Sequence, residues 1–211
     1  MKNLIIIGGG GMGKEVYYMA KNSIGYGTVF DIKGFIDDNI HCLDGYHGYP
    51  PILSTVKDYI PAENDVFTCS IGDVHTKRKV CEMIKARGGK FQTLIFNNVQ
   101  LRDNVSIGDG CIIDSYAHIG SDAVIGENCL IQAFSCVAHD CVIGDYSRID
   151  VRSLLVGGVK VGTNVTVHTN AVISHKVVLE DDCTVAALSL VIRDVKAGTT
   201  VLGNPAKKLE Y

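Results

Sequence analysis

The chain has 211 residues and a formal net charge of −3, and aromatic residues make up 7% of it. This length suffices for two small domains, and a slightly acidic chain without a basic block gives no electrostatic support for nucleic-acid binding. No apolar run approaches the length of a membrane span, and the run at residues 4–7 is too short for a signal peptide. We therefore expect a cytoplasmic protein.

The N-terminal part of the sequence alternates short apolar strands with helices. Residues 4–7 read as a buried strand that runs into GGGGMG at 8–13, and a helix is expected from 14 to about 22. Further strands are expected at 34–36 and 66–71, and a second helix at 75–86. This alternation predicts a small parallel sheet of Rossmann-like order in a domain spanning residues 1–92.

Gly8, Gly10 and Gly13 match a dinucleotide fingerprint between a strand and a helix. Such glycines let backbone N–H groups approach phosphate at the positive end of a helix. The alternative is a tight turn without a ligand. Only one mononucleotide-sized half is present, so a nucleotide diphosphate-sugar fits better than a dinucleotide. Asp37 and Asp38 follow the second strand, where they either accept hydrogen bonds from a ligand or form a solvated turn.

From residue 95 onward an aliphatic residue returns every six positions, and the residue two places before it is small or β-branched. The aliphatic positions number 17, from Ile95 to Val191. An α-helix cannot keep such a stripe on one face, because it has 3.6 residues per turn. The pattern predicts a parallel β-helix over residues 93–211 with three hexads per coil. Both columns point inward, and glycine or a short polar residue occupies the corners.

Four of the eight cysteines fall in the small inward column of this repeat, namely Cys111, Cys129, Cys141 and Cys183. This placement predicts free thiols packed in a core. The sequence has no Cys-x-x-Cys pair with zinc spacing, so we expect no metal cofactor.

The order of the two predicted domains resembles one branch of the hexapeptide-repeat acyltransferases, the nucleotide-sugar N-acetyltransferases and the related sialic acid O-acetyltransferases of bacterial surface-glycan synthesis. The segments that carry the resemblance are GGGGMG at 8–13, FIDD at 35–38, SIGD at 70–73, AHDCVIGD at 138–145 and GNPAK at 203–207. The resemblance implies a left-handed β-helix, although general sterics favour right-handed crossovers. It also implies acetyl-CoA as co-substrate and a nucleotide-linked sugar as acceptor. A three-sided prism with apolar faces further suggests a homotrimer.

The resemblance assigns roles to individual residues. His139 is expected to be the general base that deprotonates an attacking amine or hydroxyl, and Asp140 the acid that supports it. The expected nucleotide-sugar contacts are Gly10, Gly11, Met12, Asp37, Asp38 and Gly72. The expected acetyl-CoA contacts are Arg148, Thr169 and Ala187.

Three segments depart from the family pattern. Met12 stands where a His is common. Residues 148–153 read RIDVRS where relatives read His-[VI]-x-x-Gly-Ala, and residues 186–189 read AALS in place of a glycine-rich stretch. Arg148 and Arg152 are candidates to pair with CoA phosphates or with an acidic acceptor. Altered or lost activity is the other interpretation of these changes.

Two further functions are compatible with a β-helix. One is a zinc lyase of the γ-carbonic anhydrase type, for which His139 and His175 would lie in one column two coils apart. Position 180 is Glu, and His168 falls in a different column, so a third histidine at suitable spacing is lacking. The other is a sugar-nucleotide-binding protein that has lost the transfer reaction, which the changes at 148–153 motivate.

Overall fold

The computed structural model describes residues 1–210, and they form two compact units. The first comprises Met1–Asn97, and the second begins at Asn98. Neither helix in residues 1–210 has the length and apolar character needed to span a bilayer.

The first unit contains a five-stranded parallel sheet in the order β3-β2-β1-β4-β5. Its strands are β1 (Lys2–Ile7), β2 (Phe30–Ile36), β3 (Ile52–Ser54), β4 (Asp65–Cys69) and β5 (Lys90–Phe91). The two-residue strand β6 (Leu94–Ile95) follows β5 in the chain and is not part of this sheet. The helices of the unit are α1 (Gly11–Lys21) and α2 (Val74–Ala86). Leu4, Ile5, Ile6 and Ile7 are fully buried in the central strand, as their continuous apolar run indicates.

The predicted elements of this unit are present, but their limits differ. Helix α1 begins three residues before the expected start, because the Lys14 N–H already bonds to the Gly10 carbonyl at 3.1 Å. Helix α2 begins at Val74, where the Asp73 carboxylate caps it by accepting from the Thr76 N–H at 2.8 Å. Strands β3 and β5 were not predicted, because three and two residues are too few to show a period.

The second unit is a parallel β-helix of two-residue strands that recur every six residues. The strands are β7 (Gln100–Leu101), β8 (Ser106–Ile107), β9 (Ile112–Ile113), β10 (His118–Ile119), β11 (Val124–Ile125), β12 (Leu130–Ile131), β13 (Cys136–Val137), β14 (Val142–Ile143), β15 (Arg148–Ile149), β16 (Leu154–Leu155), β17 (Lys160–Val161), β18 (Thr166–Val167), β19 (Val172–Ile173), β20 (Val178–Leu179), β21 (Thr184–Val185) and β22 (Leu190–Val191), followed by β23 (Thr200–Gly203) and β24 (Ala206–Lys208).

Each strand from β7 to β19 pairs in parallel with the strand 18 residues further on, as His118 does with Cys136 and Arg148 with Thr166. This pairing builds three sheets. One runs from β7 to β22 through β10, β13, β16 and β19, and the second from β8 to β20 through β11, β14 and β17. The third runs from β9 through β12, β15, β18 and β21 to β23 and β24. The 18-residue coil predicted from three hexads is therefore confirmed.

The aliphatic column points into the prism, as predicted, from Ile113 to Val191, where every member is buried. The first three members are the exception, since Leu101 is 41% exposed and Ile95 and Ile107 are half-buried. They belong to the first coil, which has a neighbouring coil on one side only. The core of the β-helix is therefore complete from the second coil onward.

The small inward column is buried too, and its polar members bond to carbonyl groups of the next coil. The thiols of Cys111 and Cys129 donate to the carbonyls of Gly126 and Gly144, at 2.9 and 3.2 Å. The hydroxyls of Ser135 and Ser153 do the same at 2.8 and 2.9 Å. All eight cysteines are free, so the predicted packing of thiols in a core is confirmed for the four inward members.

The glycines that follow the aliphatic column are explained by packing between coils. Gly108 and Gly144 follow the aliphatic residue, but they do not supply the left-handed backbone of the turn. A side chain there would overlap the next coil, since a Cβ on Gly144 would come within 2.6 Å of the Gly162 carbonyl carbon. The residues with positive φ lie two positions later in the hexad, and Asp140 and Arg152 are among them. Close approach of neighbouring coils, and not backbone freedom, therefore selects these glycines.

Candidate functional site

His139 and Asp140 lie at a corner of the β-helix between β13 and β14. The two side chains are 64% and 65% exposed, and Nδ1 of His139 lies 2.6 Å from Oδ2 of Asp140. An ionised carboxylate only accepts hydrogen bonds, so Nδ1 carries the proton and Nε2 keeps a lone pair. The structure thus brings the two predicted catalytic residues together, and their catalytic roles stay a prediction.

Gly157, one coil beyond His139, provides the surface beside the imidazole. A Cβ on Gly157 would lie 2.5 Å from Nε2 and 2.6 Å from Cε1 of His139. The Gly158 N–H donates to the His139 carbonyl at 2.9 Å and fixes the register of the two coils. Within residues 1–210 the Gly157 N–H meets no acceptor. Sequence reasoning missed Gly157, although a spacing of 18 from His139 in the hexad register was the signal that pointed to it.

The cysteines near this pair are not suited to act as nucleophiles. Cys136 lies on β13, and Cys141 follows Asp140 in the core. Burial raises the pKa of both thiols, and the thiolate is the reactive form. Neither thiol is therefore a candidate nucleophile.

A second polar cluster lies on and beside the outer face of β15. The Asp150 carboxylate, whose side chain is 5% exposed, accepts from Nε and Nη2 of Arg148 at 2.8 and 2.7 Å. Its other oxygen lies 2.9 Å from Nδ1 of His168, on the next coil. Arg148 was an expected acetyl-CoA contact, whereas Asp150 and His168 were not singled out. Their spacing of 18 residues, one coil of the β-helix, was the sequence signal that could have indicated their contact.

The other residues expected to contact acetyl-CoA follow this cluster. Thr169 comes directly after His168 and is half-buried, and Ala187 is exposed at the same position one coil later. The Leu188 N–H bonds to the Thr169 carbonyl at 3.1 Å. The structure therefore places Thr169 and Ala187 on successive coils of one corner, with Arg148 on the strand that leads into this corner.

Arg152 is held separately from Arg148. It has a φ of 59°, and its guanidinium lies 5.8 Å from the centre of the Phe134 ring one coil earlier. Phe134 stacks in turn on Tyr116, with ring centres 5.0 Å apart and planes inclined by 8°. Cation–π attraction thus orients Arg152 along an exposed corner.

The glycine-rich turn in the first unit contains one glycine that the packing of the turn requires and two that leave open space beside the N-terminus of α1. A Cβ on Gly13 would overlap the Gly8 carbonyl, so Gly13 is needed for the chain to turn back on itself. At Gly10 and Gly11 an added Cβ would meet nothing within 4 Å. Gly10 offers no side-chain cap, and the first turn of α1 has no acidic residue. The N-terminus of α1 is therefore open and suited to an anion.

The two aspartates that follow β2 brace the backbone around this turn. Asp37 accepts from the Gly9 N–H at 2.7 Å and, with its other oxygen, from the Asn39 N–H at 2.8 Å. Asp38 accepts from the Val56 N–H at 3.0 Å. Met12 lies half-buried in the first turn of α1, and Gly72 lies between β4 and α2. A ligand role for these residues stays a prediction, while the bracing role is a finding.

A metal site has no support in residues 1–210, where no three His, Cys, Asp or Glu side chains are grouped to hold an ion. Glu180, the residue at the position where a zinc lyase would need a third histidine, pairs instead with Lys196 at 2.7 Å.

Comparison with known proteins gives two family matches. Residues 3–84 match the PglD N-terminal domain family, and residues 95–197 match the GMPPB C-terminal domain family. No curated protein matches the chain.

Solved structures match over the whole chain. The acetyltransferase domain of PglB from Neisseria gonorrhoeae is 26% identical, with a TM-score of 0.90, and covers 99% of this chain and 100% of its own. WeeI from Acinetobacter baumannii is 27% identical, with a TM-score of 0.75 and the same coverage. PerB from Caulobacter crescentus is 23% identical, with a TM-score of 0.87, over 100% of this chain and 98% of its own, and at this identity it supports the fold alone. The match to the PglD N-terminal domain family, the structural matches to the PglB domain and WeeI, and the parallel β-helix together fit a hexapeptide-repeat sugar acetyltransferase.

Proposed function

We propose that the protein transfers an acetyl group from acetyl-CoA to an amine, or alternatively to a hydroxyl, of a nucleotide-linked sugar used in bacterial surface-glycan synthesis. The observation that carries the proposal is the exposed His139–Asp140 pair, in which Nδ1 of His139 lies 2.6 Å from the carboxylate and Nε2 lies beside Gly157. An imidazole that presents a lone pair to solvent and is fixed by a carboxylate is a general base. The gonococcal PglB domain, which has the same fold, is described in complex with acetyl coenzyme A.

The reaction follows from this geometry. The acceptor nitrogen attacks the thioester carbon, and its proton passes to Nε2 of His139. Asp140 stabilises the resulting imidazolium through Nδ1. In this proposal a backbone N–H of the coil beside His139, for which Gly157 is the candidate, donates to the oxyanion of the tetrahedral intermediate. When this intermediate collapses, the C–S bond breaks and the CoA sulfur takes the proton back from His139, which restores the base.

The first unit is proposed to be a Rossmann-like domain that holds the nucleotide. Its parallel order β3-β2-β1-β4-β5 is typical of doubly wound nucleotide-binding sheets. In this proposal the diphosphate lies at the N–H groups of Gly10, Gly11 and Met12. The lone pairs that the backbone leaves on Asp37 and Asp38 accept from base or sugar groups, and Gly72 lies at the end of the adjacent strand.

The β-helix is proposed to be left-handed and to bind acetyl-CoA at Arg148, Thr169 and Ala187, in a homotrimer with three donor clefts. The support is the polar cluster around Arg148 and the successive placement of Thr169 and Ala187. A cytoplasmic location is part of the same proposal, because eight free cysteines suit a reducing compartment.

The test is a screen of purified protein against a panel of nucleotide-linked amino and hydroxy sugars, with thiol release from acetyl-CoA as the readout. We expect release that depends on one class of acceptor and a product heavier by one acetyl group. Binding of a nucleotide sugar without thiol release for any acceptor would favour the alternative of an inactive binding homologue.

A further inference from the structure

The cluster formed by Arg148, Asp150 and His168 lies outside the catalytic corner and needs its own explanation. Asp150 is nearly buried, and a buried carboxylate is costly unless it is paired and hydrogen-bonded. Two bonds from Arg148 already satisfy one of its oxygens. His168 is therefore not required for charge balance, since the guanidinium cation cancels the carboxylate.

The bond between His168 and Asp150 fixes the tautomer of the imidazole. The carboxylate can only accept, so Nδ1 of His168 carries the proton that it donates at 2.9 Å. Nε2 is then an acceptor, on a side chain that is 42% exposed. Within residues 1–210 no donor reaches this Nε2.

The chemistry of this acceptor selects the kind of ligand. The Asp150 carboxylate already offsets the charge of the Arg148 guanidinium, so this pair brings no excess positive charge to the cluster. A phosphate group offers mainly acceptors and needs excess positive charge, so it is a poor partner for Nε2. A neutral chain with amide N–H donors is a good one. The pantetheine arm of coenzyme A carries two amides.

We propose that His168 is a binding residue for the amide-bearing arm of the acyl donor, and that Asp150 is the positioning residue that holds His168 in the accepting tautomer. The inference rests on the proposed donor site, because Arg148 and Thr169 of that site adjoin the two residues. In His168→Ala the acceptor is lost. In Asp150→Asn the carboxamide can donate to Nδ1, which moves the ring proton to Nε2 and turns the acceptor into a donor.

Calorimetric titration of the full-length protein with coenzyme A and with adenosine 3′,5′-bisphosphate, which lacks the arm, separates the possibilities. Loss of one hydrogen bond should weaken coenzyme A binding by about three- to tenfold in His168→Ala. Asp150→Asn should weaken it to a similar extent. Binding of the bisphosphate should be unchanged in both. His175→Ala, which removes an exposed histidine outside the cluster, is the matched control and should bind both ligands like the wild type.

Unchanged coenzyme A affinity in His168→Ala would overturn the inference, and so would an equal loss of bisphosphate affinity, which would point to a phosphate contact. If the wild type does not bind coenzyme A, both the proposed donor site and this inference are wrong. Acetyl transfer by the wild type with unaltered coenzyme A binding in both variants would overturn this inference alone. If Asp150→Asn does not fold, the coenzyme A affinity of His168→Ala still tests the inference, because this substitution is at a partly exposed side chain.

Discussion

At the scale of single residues, two histidines are held in the same way for different purposes. His139 and His168 each donate Nδ1–H to an aspartate, which leaves Nε2 as the reactive or binding atom. Asp140 is exposed and belongs to the same corner as its histidine, whereas Asp150 is buried and lies one coil away from its partner. The first pair suits a base that must change its charge during turnover, and the second suits a fixed acceptor.

Gly157→Ala should impair the base by displacing its imidazole ring. The new Cβ would come within 2.5 Å of Nε2 of His139, so the ring must move from its position beside Gly157. Displacement of a catalytic group by about 1 Å can cost on the order of a hundredfold in rate. We expect kcat to fall by about ten- to a hundredfold while KM for both substrates stays within about twofold, as steady-state kinetics would measure.

Gly144→Ala is the matched control for this substitution. Its Cβ would meet backbone of the next coil at 2.6 Å, so it also strains the β-helix, but it lies at the next corner and does not face His139. This variant should lower the melting temperature and keep kcat in the folded protein. Equal losses of kcat in both variants would refute the positioning role of Gly157.

At the scale of elements, the sequence predicted the regular parts better than the corners. The six-residue column located the strand positions from Ile113 to Val191, because burial of one residue per hexad depends only on the repeat. The corners depend on how closely two coils approach, and no single hexad contains that information. For the same reason His139 and Asp140 were identified from their motif, whereas Gly157 and the partnership of Asp150 with His168 became visible only once the coils were stacked.

Two lysines, one at a corner with positive φ and one on a strand, allow a test of how corner conformation affects stability. Lys176 has a φ of 58°, which is costly for a residue with a long side chain, whereas Lys160 lies on strand β17. Asparagine tolerates positive φ, so Lys176→Asn should raise the free energy of unfolding by about 0.5 kcal/mol. Lys160→Asn should lower it by a similar amount, because asparagine is disfavoured in strands. Denaturant titration would reveal the opposite signs, and equal effects would contradict this account of the corners.

Asp65, at the start of β4, accepts hydrogen bonds from Lys33 on β2 and from Tyr59 and Ala62 in the segment between β3 and β4. Burial alone would raise its pKa, but bonds from the Ala62 N–H, Tyr59 and Lys33 outweigh burial and lower the pKa. Its stabilising contribution is therefore present above the unfolded-state pKa of about 3.9 and is lost as the pH falls through the lower folded-state value. Asp65→Asn should cost about 2 kcal/mol at pH 7 and flatten the acid limb of a stability–pH curve. An unchanged acid limb would contradict this role.

At the scale of the whole molecule, the proposed activity needs both units, one for the acceptor and one for the donor. The homotrimer belongs to the same proposal. Sedimentation equilibrium should give about three times the chain mass of 22.7 kDa at micromolar concentration. A concentration-independent monomer that still transfers acetyl groups would contradict the trimeric arrangement.

The central claim is that His139 is the general base of acetyl transfer to a nucleotide-linked sugar, and His139→Ala tests it most directly. The measurement is thiol release from acetyl-CoA with the acceptor found by screening, together with the affinities for both ligands. Loss of a general base typically costs about 10²- to 10⁴-fold, so we expect kcat to fall by that factor while both affinities stay within about twofold. Near-normal turnover in this variant would contradict the assignment.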